Sequence, residues 1–157
     1  MVIPCIMKAK GIHIQSYNHP FKGDALMSDE QYEKGKEIAG KLLGKTAAVG
    51  REELSKISPM HGRAIYEYCF GTVWAQPLLP LKTKELILIA ICASQGEYEG
   101  VKRQVRGGLN LGATEDEIIE AITTCGPYIG YPRTNGSLRA AKSVFDQWDE
   151  MEEWKSV

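Results

Sequence analysis

Three cations, Lys82, Arg103 and Arg106, stand in one 25-residue stretch where they could hold a small anion. Arginine presents a planar fork of donors that meets a carboxylate through two hydrogen bonds. Glu85 lies in the same stretch, and a carboxyl group taken out of water keeps its proton to higher pH, so it can act as a base or acid near neutrality. His61 stands two residues after Pro59, and histidine is the side-chain type suited to moving protons near neutrality. Tyr66, Trp74, Tyr128 and Tyr131 offer flat walls with an O–H or N–H donor each. These parts suit one kind of chemistry. A carboxylate is clamped, the negative charge that develops beside it is stabilised by preorganised donors, and a proton is delivered afterwards. A ketone or lactone in the substrate would take up the electrons, so no cofactor is expected. Each residue also has a quieter reading. Glu85 suits the first turn of a helix, Arg106 a surface ion pair, His61 a helix start, and Trp74 the core or a subunit interface.

Other chemistries are set aside by count and spacing. The four cysteines, at 5, 69, 92 and 125, make no CxxC or CxxxC pair, which argues against a zinc ribbon and a thioredoxin-type couple. Cys69, Cys92 and Cys125 lie in apolar stretches and read as buried thiols. Three histidines, at 13, 19 and 61, are too scattered for a metal site, and none is expected. The 157 residues carry 19 Lys plus Arg against 20 Asp plus Glu, a net charge of -1, so no basic field invites nucleic acid or an anionic membrane. The longest apolar run, Leu86 to Ala93, is too short to cross a bilayer. No signal peptide is read at the N-terminus, and a reducing cytoplasm is the expected compartment.

The elements that would position these residues are helices. Residues 1–27, with Pro4, Gly11, Pro20 and Gly23, read as an extended arm with one short strand over 12–16. Residues 28–157 read as one all-α domain, a compact helical bundle. Ser28 with Gln31 forms a capping box that opens a helix ending at Gly44. Residues 45–58 read as a polar loop with one turn at 51–56. A second helix spans Met60 to Trp74 and is broken by Pro77 and Pro80. Thr83 caps a helix over 84–94 that is apolar on nearly all sides and therefore central. Tyr98 to Leu111 follows with a basic face, then a helix over 115–124 opened by a Thr114–Glu117 capping box. Gly126, Pro127, Gly130 and Pro132 interrupt it, and a last helix over 134–154 carries an acidic solvated face.

Three segments, "FGTVWAQPLLPLKTKELILIAI", "VRGGLNLGATEDEIIEAI" and "YIGYPRTNGSLRAAKSVF", together with the lead "YEKGKEIAGKLLG", resemble the carboxymuconolactone decarboxylase family, within the alkylhydroperoxidase D-like superfamily, over residues 28–147. The resemblance implies the helical fold and a cofactor-independent lyase acting on a small cyclic acid or lactone. It also places residues. The peroxidase branch carries Glu, CxxC and His; here the Glu is Glu85, the cysteines fall at Glu97 and Gly100, and the His falls at Gln104. Without thiols there, disulfide redox chemistry is removed. The decarboxylase branch has a His in "LHVRGALNNG", again Gln104 in "RQVRGGLNLG", and a Glu in "FGEVW", here Thr72. Gln104 and Thr72 donate and accept hydrogen bonds but move no proton near neutral pH. These changes imply a substrate other than carboxymuconolactone.

The expected site lies between the 60–74, 84–94 and 98–111 helices. Glu85, Gln104, Arg106 and His61 are its catalytic candidates. Thr72, Trp74, Tyr66, Tyr128, Tyr131 and Arg103 are its binding candidates. The partners expected are a small-molecule substrate and copies of the same chain, as a trimer or hexamer. The apolar arm and Leu78, Leu79 and Leu81 would be awkward to expose on a monomer. The rival reading is a non-catalytic member that binds a small molecule or serves in assembly, supported by the same two replacements.

Overall fold

A computed structural model of the chain describes residues 28–156. The expected arm and its strand at 12–16 lie outside the described residues. Within them every regular element is helical: α1 (Asp29–Leu43), α2 (Thr46–Ile57), α3 (Pro59–Ala64), a π-helical segment (Ile65–Trp74), α4 (Leu81–Gln95), α5 (Tyr98–Asn110), α6 (Glu115–Ile129), α7 (Tyr131–Phe145) and a 3₁₀ turn (Trp148–Glu150). Both expected capping boxes form, at Ser28 with Gln31 and at Thr114 with Glu117.

The core lies among α4, α5, α6 and α7. Ile89, Val101, Val105, Ile118 and Ile122 are fully buried there. Each such side chain stabilises the fold by about 1.5–3 kcal/mol. α1 packs on α5 on one side and on the π segment on the other. Ile38 and Leu42 of α1 meet Trp74 in a second apolar cluster. The crossing of α1 over the π segment is as close as backbones come. A Cβ at Gly35 would collide with the carbonyl of Tyr66, and one at Gly71 with the carbonyl of Gln31. Glycine is required at both because nothing larger than hydrogen fits between the two chains.

The structure departs from the sequence reading in five places. Residues 46–57 form a full helix rather than a loop. Only Ala47 is buried, so the apolar stripe is absent. Good helix formers such as Ala48, Arg51, Glu52, Leu54 and Lys56 favour the helix instead. The helix expected over 60–74 is α only to Ala64 and π thereafter. The wider register lets the Thr72 hydroxyl donate to the Glu67 carbonyl at 2.9 Å, five residues back. It also stacks Tyr66, Phe70 and Trp74 against one another, with centroids 5.7 and 6.2 Å apart. α4 starts directly after Pro80, without a Thr83 cap. α6 runs through Pro127 to Ile129, at the cost of the one backbone hydrogen bond that the Pro127 nitrogen cannot donate. α7 opens at Tyr131 with Pro132 in its first turn, a position that suits proline, and closes at Phe145. The acidic residues beyond form no helix face. Asp146, Asp149, Glu150 and Glu153 would repel at three- and four-residue spacings.

α4 is central to the bundle, yet one side of it stays uncovered. Ile87 and Ile91 are 46% and 44% exposed.

Candidate active site

Glu85 points inward from the second turn of α4 and is 1% exposed. Neither of its carboxylate oxygens has a hydrogen-bond partner. Burial pushes its pKa from 4.5 to about 8, with Arg103 pulling weakly the other way. The carboxyl group therefore stays protonated at neutral pH. Room for it comes from α5. A Cβ at Gly107 would stand 2.5 Å from Oε1 of Glu85, and the Leu42 side chain of α1 closes the same spot. The acid is thus held where α1, α4 and α5 meet. The segment over 60–74, expected to form one wall, packs chiefly on α1 instead.

Arg103, one turn before Gly107 on α5, is close enough to the acid to lower its pKa slightly and lines a cavity of about 420 Å³, which Glu85 itself does not line. Leu43, Thr46, Val49 and Trp154 give the cavity apolar and aromatic walls, and Lys45, Glu53 and Glu153 stand around it. Arg103 makes no ion pair with any acid among the described residues. It is exposed, and Glu53 and Glu153 share the cavity with it without forming an ion pair to it. Cys92, also buried, feels Glu85, Glu97 and Arg103, but burial dominates and raises its pKa, so it stays a thiol. Cys69 behaves alike, and Cys125 donates to the Ala121 carbonyl from a half-buried position.

The remaining candidates lie elsewhere. The Arg106 guanidinium stacks on the Trp154 ring at 4.4 Å, and its Nε is buried without a partner. Burial lowers its pKa. It does not line the cavity that Arg103 lines. Gln104 is half-buried on α5, one residue from Arg103. Thr72 is buried and bonded to the π segment's own backbone. The Tyr66 hydroxyl donates to the Ala47 carbonyl at 2.7 Å inside the core. Trp74 is buried against α1, with one edge on a second groove. His61 is exposed in the first turn of α3, where its amide donates to the Ser58 hydroxyl. Tyr128 and Tyr131 are 88% and 80% exposed. Lys82 is committed to Glu117, with Nζ 2.8 Å from Oε1. The structure therefore sets Glu85 against Gly107 and Arg103 one turn away on α5, and leaves His61, Tyr128 and Tyr131 exposed on other elements. No three His, Cys, Asp or Glu side chains among the described residues come together to hold a metal ion.

Three residues of the candidate site were not singled out in the sequence. Gly107 makes space for the acid, Lys45 adds a second cation, and Trp154 supplies the wall. Gly107 carries a visible signal, a glycine pair inside a helix that glycine disfavours. Trp154 has none, since it lies in an acidic tail with no periodicity.

The second groove, also of about 420 Å³, is apolar and open. Val73, Trp74, Leu78, Leu79, Ile87 and Ile91 line it. Lys84 crosses it to donate to the carbonyls of Trp74 and Gln76, at 2.7 and 2.6 Å, and so caps the end of the π segment. No described helix is long and apolar enough to cross a membrane.

Comparison with known proteins places these features in a family context. Residues 59–143 match the carboxymuconolactone decarboxylase family. The chain is 33% identical over 121 residues to 4-carboxymuconolactone decarboxylase of Acinetobacter baylyi, covering 76% of this chain and 90% of that protein. It is 32% identical over 89 residues to nitrosuccinic acid decarboxylase of Metarhizium robertsii, covering 56% of this chain and 62% of that one.

Proposed function

The chain belongs to the carboxymuconolactone decarboxylase family, and on that footing we propose that it is a cofactor-independent decarboxylase-type lyase. Its substrate is a small cyclic carboxylic acid or lactone other than carboxymuconolactone. One observation carries the reading: a fully buried, unpartnered carboxyl group sits against Gly107 of α5, and one turn earlier on that helix an arginine with no ion pair among the described residues lines a cavity. Two relatives whose names describe decarboxylation of different acids support the reaction type and a substrate range wider than one compound.

The chemistry follows from charge. Arg103 pairs with the substrate carboxylate. When the C–C bond to that carboxylate breaks, CO2 leaves and the bonding electrons pass to the ketone or lactone beside it. Glu85, neutral below about pH 8, holds the proton that the resulting carbanion takes up, and is recharged from solvent. The net change is replacement of –CO2⁻ by –H with one proton consumed. Neither Gln104 nor Thr72 is asked to move a proton.

We also take the active form to be a homo-oligomer. The groove of Val73, Leu78, Leu79, Ile87 and Ile91 supports this, being a contiguous apolar face that a second copy could cover.

The test is CO2 release from a panel of carboxylated lactones and cyclic β-keto acids, with 4-carboxymuconolactone and nitrosuccinic acid alongside, in buffer containing EDTA. Expected is turnover of one lactone or keto acid above that of 4-carboxymuconolactone, falling about 100-fold in Glu85→Gln, as for loss of a general acid. Absence of CO2 from every compound, or an undiminished rate in Glu85→Gln, would refute the proposal.

A further inference from the structure

The chain after α7 does not trail away. Residues 151–156 turn back and lie over the end of α1 as a strap. Asn110, the last residue of α5, holds the strap through both ends of its amide. Its Nδ2 donates to the Trp154 carbonyl at 2.6 Å and to the Leu42 carbonyl at 2.9 Å, and its Oδ1 accepts from the Ser156 amide at 2.9 Å. Gly44, at φ +56°, lets the strap come close: a Cβ there would stand 2.5 Å from the carbonyl oxygens of Trp154 and Lys155. Trp154 then lies with its ring 4.4 Å from the Arg106 guanidinium and lines the cavity that Arg103 also lines.

We infer that Trp154 is a substrate-contacting, specificity-determining residue, a flat wall for the unsaturated ring of an acid whose carboxylate pairs with Arg103, and that Arg106 and Asn110 position it. This rests on the proposed lyase function for the identity of the ligand as a carboxylate, but not for turnover. Three observations converge on it. Among the described residues the indole is the only aromatic side chain lining this cavity, and a π face gives a flat ring more than area burial alone. Arg106 has no ion pair among the described residues, and its guanidinium lies over the indole and so fixes the plane of the ring. The matched family segment ends at residue 143, so the wall is added from outside it. The acid and the cation belong to the family segment, and the strap and α2 shape the space around them. That division lets one scaffold present the same charges to differently shaped acids.

The experiment is equilibrium binding by calorimetry with two probes of equal size, 2-furoate, which is flat, and tetrahydrofuran-2-carboxylate, which is puckered. The wild-type chain is expected to prefer furoate. Trp154→Leu keeps an apolar cover but has no π face, and should lower furoate affinity about fivefold or more while changing that of the puckered acid less than twofold. Trp154→Phe keeps a π face and should retain the preference, whereas Arg106→Met, which removes the stacked guanidinium, should lose it. Arg103→Met should weaken both probes alike. As a second readout, Trp74→Phe with Trp148→Phe leaves Trp154 as the sole indole, and its emission should shift saturably with furoate. Equal binding of both probes by wild type and Trp154→Leu, no furoate binding at all, or an unresponsive Trp154 would overturn the inference. A furoate preference that depends on Trp154, with no CO2 released from any acid, would instead sink the lyase function and leave the strap site standing.

Discussion

Glu85 makes a measurable demand on stability. Its pKa stands at about 8 in the folded chain against 4.5 for the free group. Between those values the native state holds a proton that the unfolded state has released, so stability falls as pH rises. At ~1.4 kcal/mol per pH unit, the loss from pH 4.5 to pH 7 is on the order of 3 kcal/mol, and on the order of 5 kcal/mol once pH 8 is passed. The decline stops above the folded pKa because both states are then ionised. Glu85→Gln removes the titration and keeps the shape. The amide is also buried without a partner, so the variant carries a cost of about 1–3 kcal/mol at every pH. The decisive quantity is therefore the slope. Urea unfolding of both proteins at pH 5.5, 6.5, 7.5 and 8.5 should show wild-type stability falling relative to the variant by about 3 kcal/mol or more over that range. Other carboxylates cancel in the comparison. Parallel curves would mean that Glu85 ionises normally, and the neutral-acid role would fall with its pKa.

Three further outcomes follow from packing. Gly107→Ala places a methyl group 2.5 Å from the Glu85 carboxyl and should cost about 1–3 kcal/mol in urea unfolding; a variant as stable as wild type would mean that Glu85 is not held there. Gly35→Ala puts a Cβ into the Tyr66 carbonyl, while Gly50→Ala on α2 meets nothing within 4 Å. The first should unfold well before wild type in a thermal melt, and the second should be neutral or more stable by up to ~1 kcal/mol, with the reverse order counting against the α1 crossing. Tyr66→Phe removes the donor to the Ala47 carbonyl and should cost about 1 kcal/mol, read by urea unfolding, the net worth of one buried hydrogen bond; an unchanged midpoint would count against that bond.

The helical class and the two capping boxes could be read from Ser28–Gln31 and Thr114–Glu117, since a cap is a local agreement between two side chains and the adjacent backbone. α2 was missed because its helix depends on residue propensity with almost nothing buried, so no apolar period marks it. The π register was missed because it depends on what α1 needs. Gly35 and Gly71 must meet, and the 66, 70, 74 aromatics must line up, which no local pattern encodes. At the candidate site, the chemistry-bearing types Glu85 and Arg103 were legible as types, and the resemblance placed Glu85. Their partners were not. Gly107 acts by what it lacks, and Trp154 reaches the cavity only through Asn110, whose bonds span 44 residues of sequence to the Trp154 carbonyl and 68 to the Leu42 carbonyl. Tyr128 and Tyr131 flank a helix break as read, but the break turns them outward, where they are exposed.

The π segment also sets a rule about chain length. A π turn is an α turn that has taken in a residue. Losing one residue between 65 and 74 would let the segment tighten to α, and everything on one side of the loss would rotate against the other. Trp74 could then face α1, or Tyr66 could sit beneath α2, but not both. Point changes on this stretch are graded in their effect, whereas a one-residue deletion is close to all-or-none. In a library of insertions and deletions, this ten-residue stretch is where the chain should tolerate substitution yet keep its count.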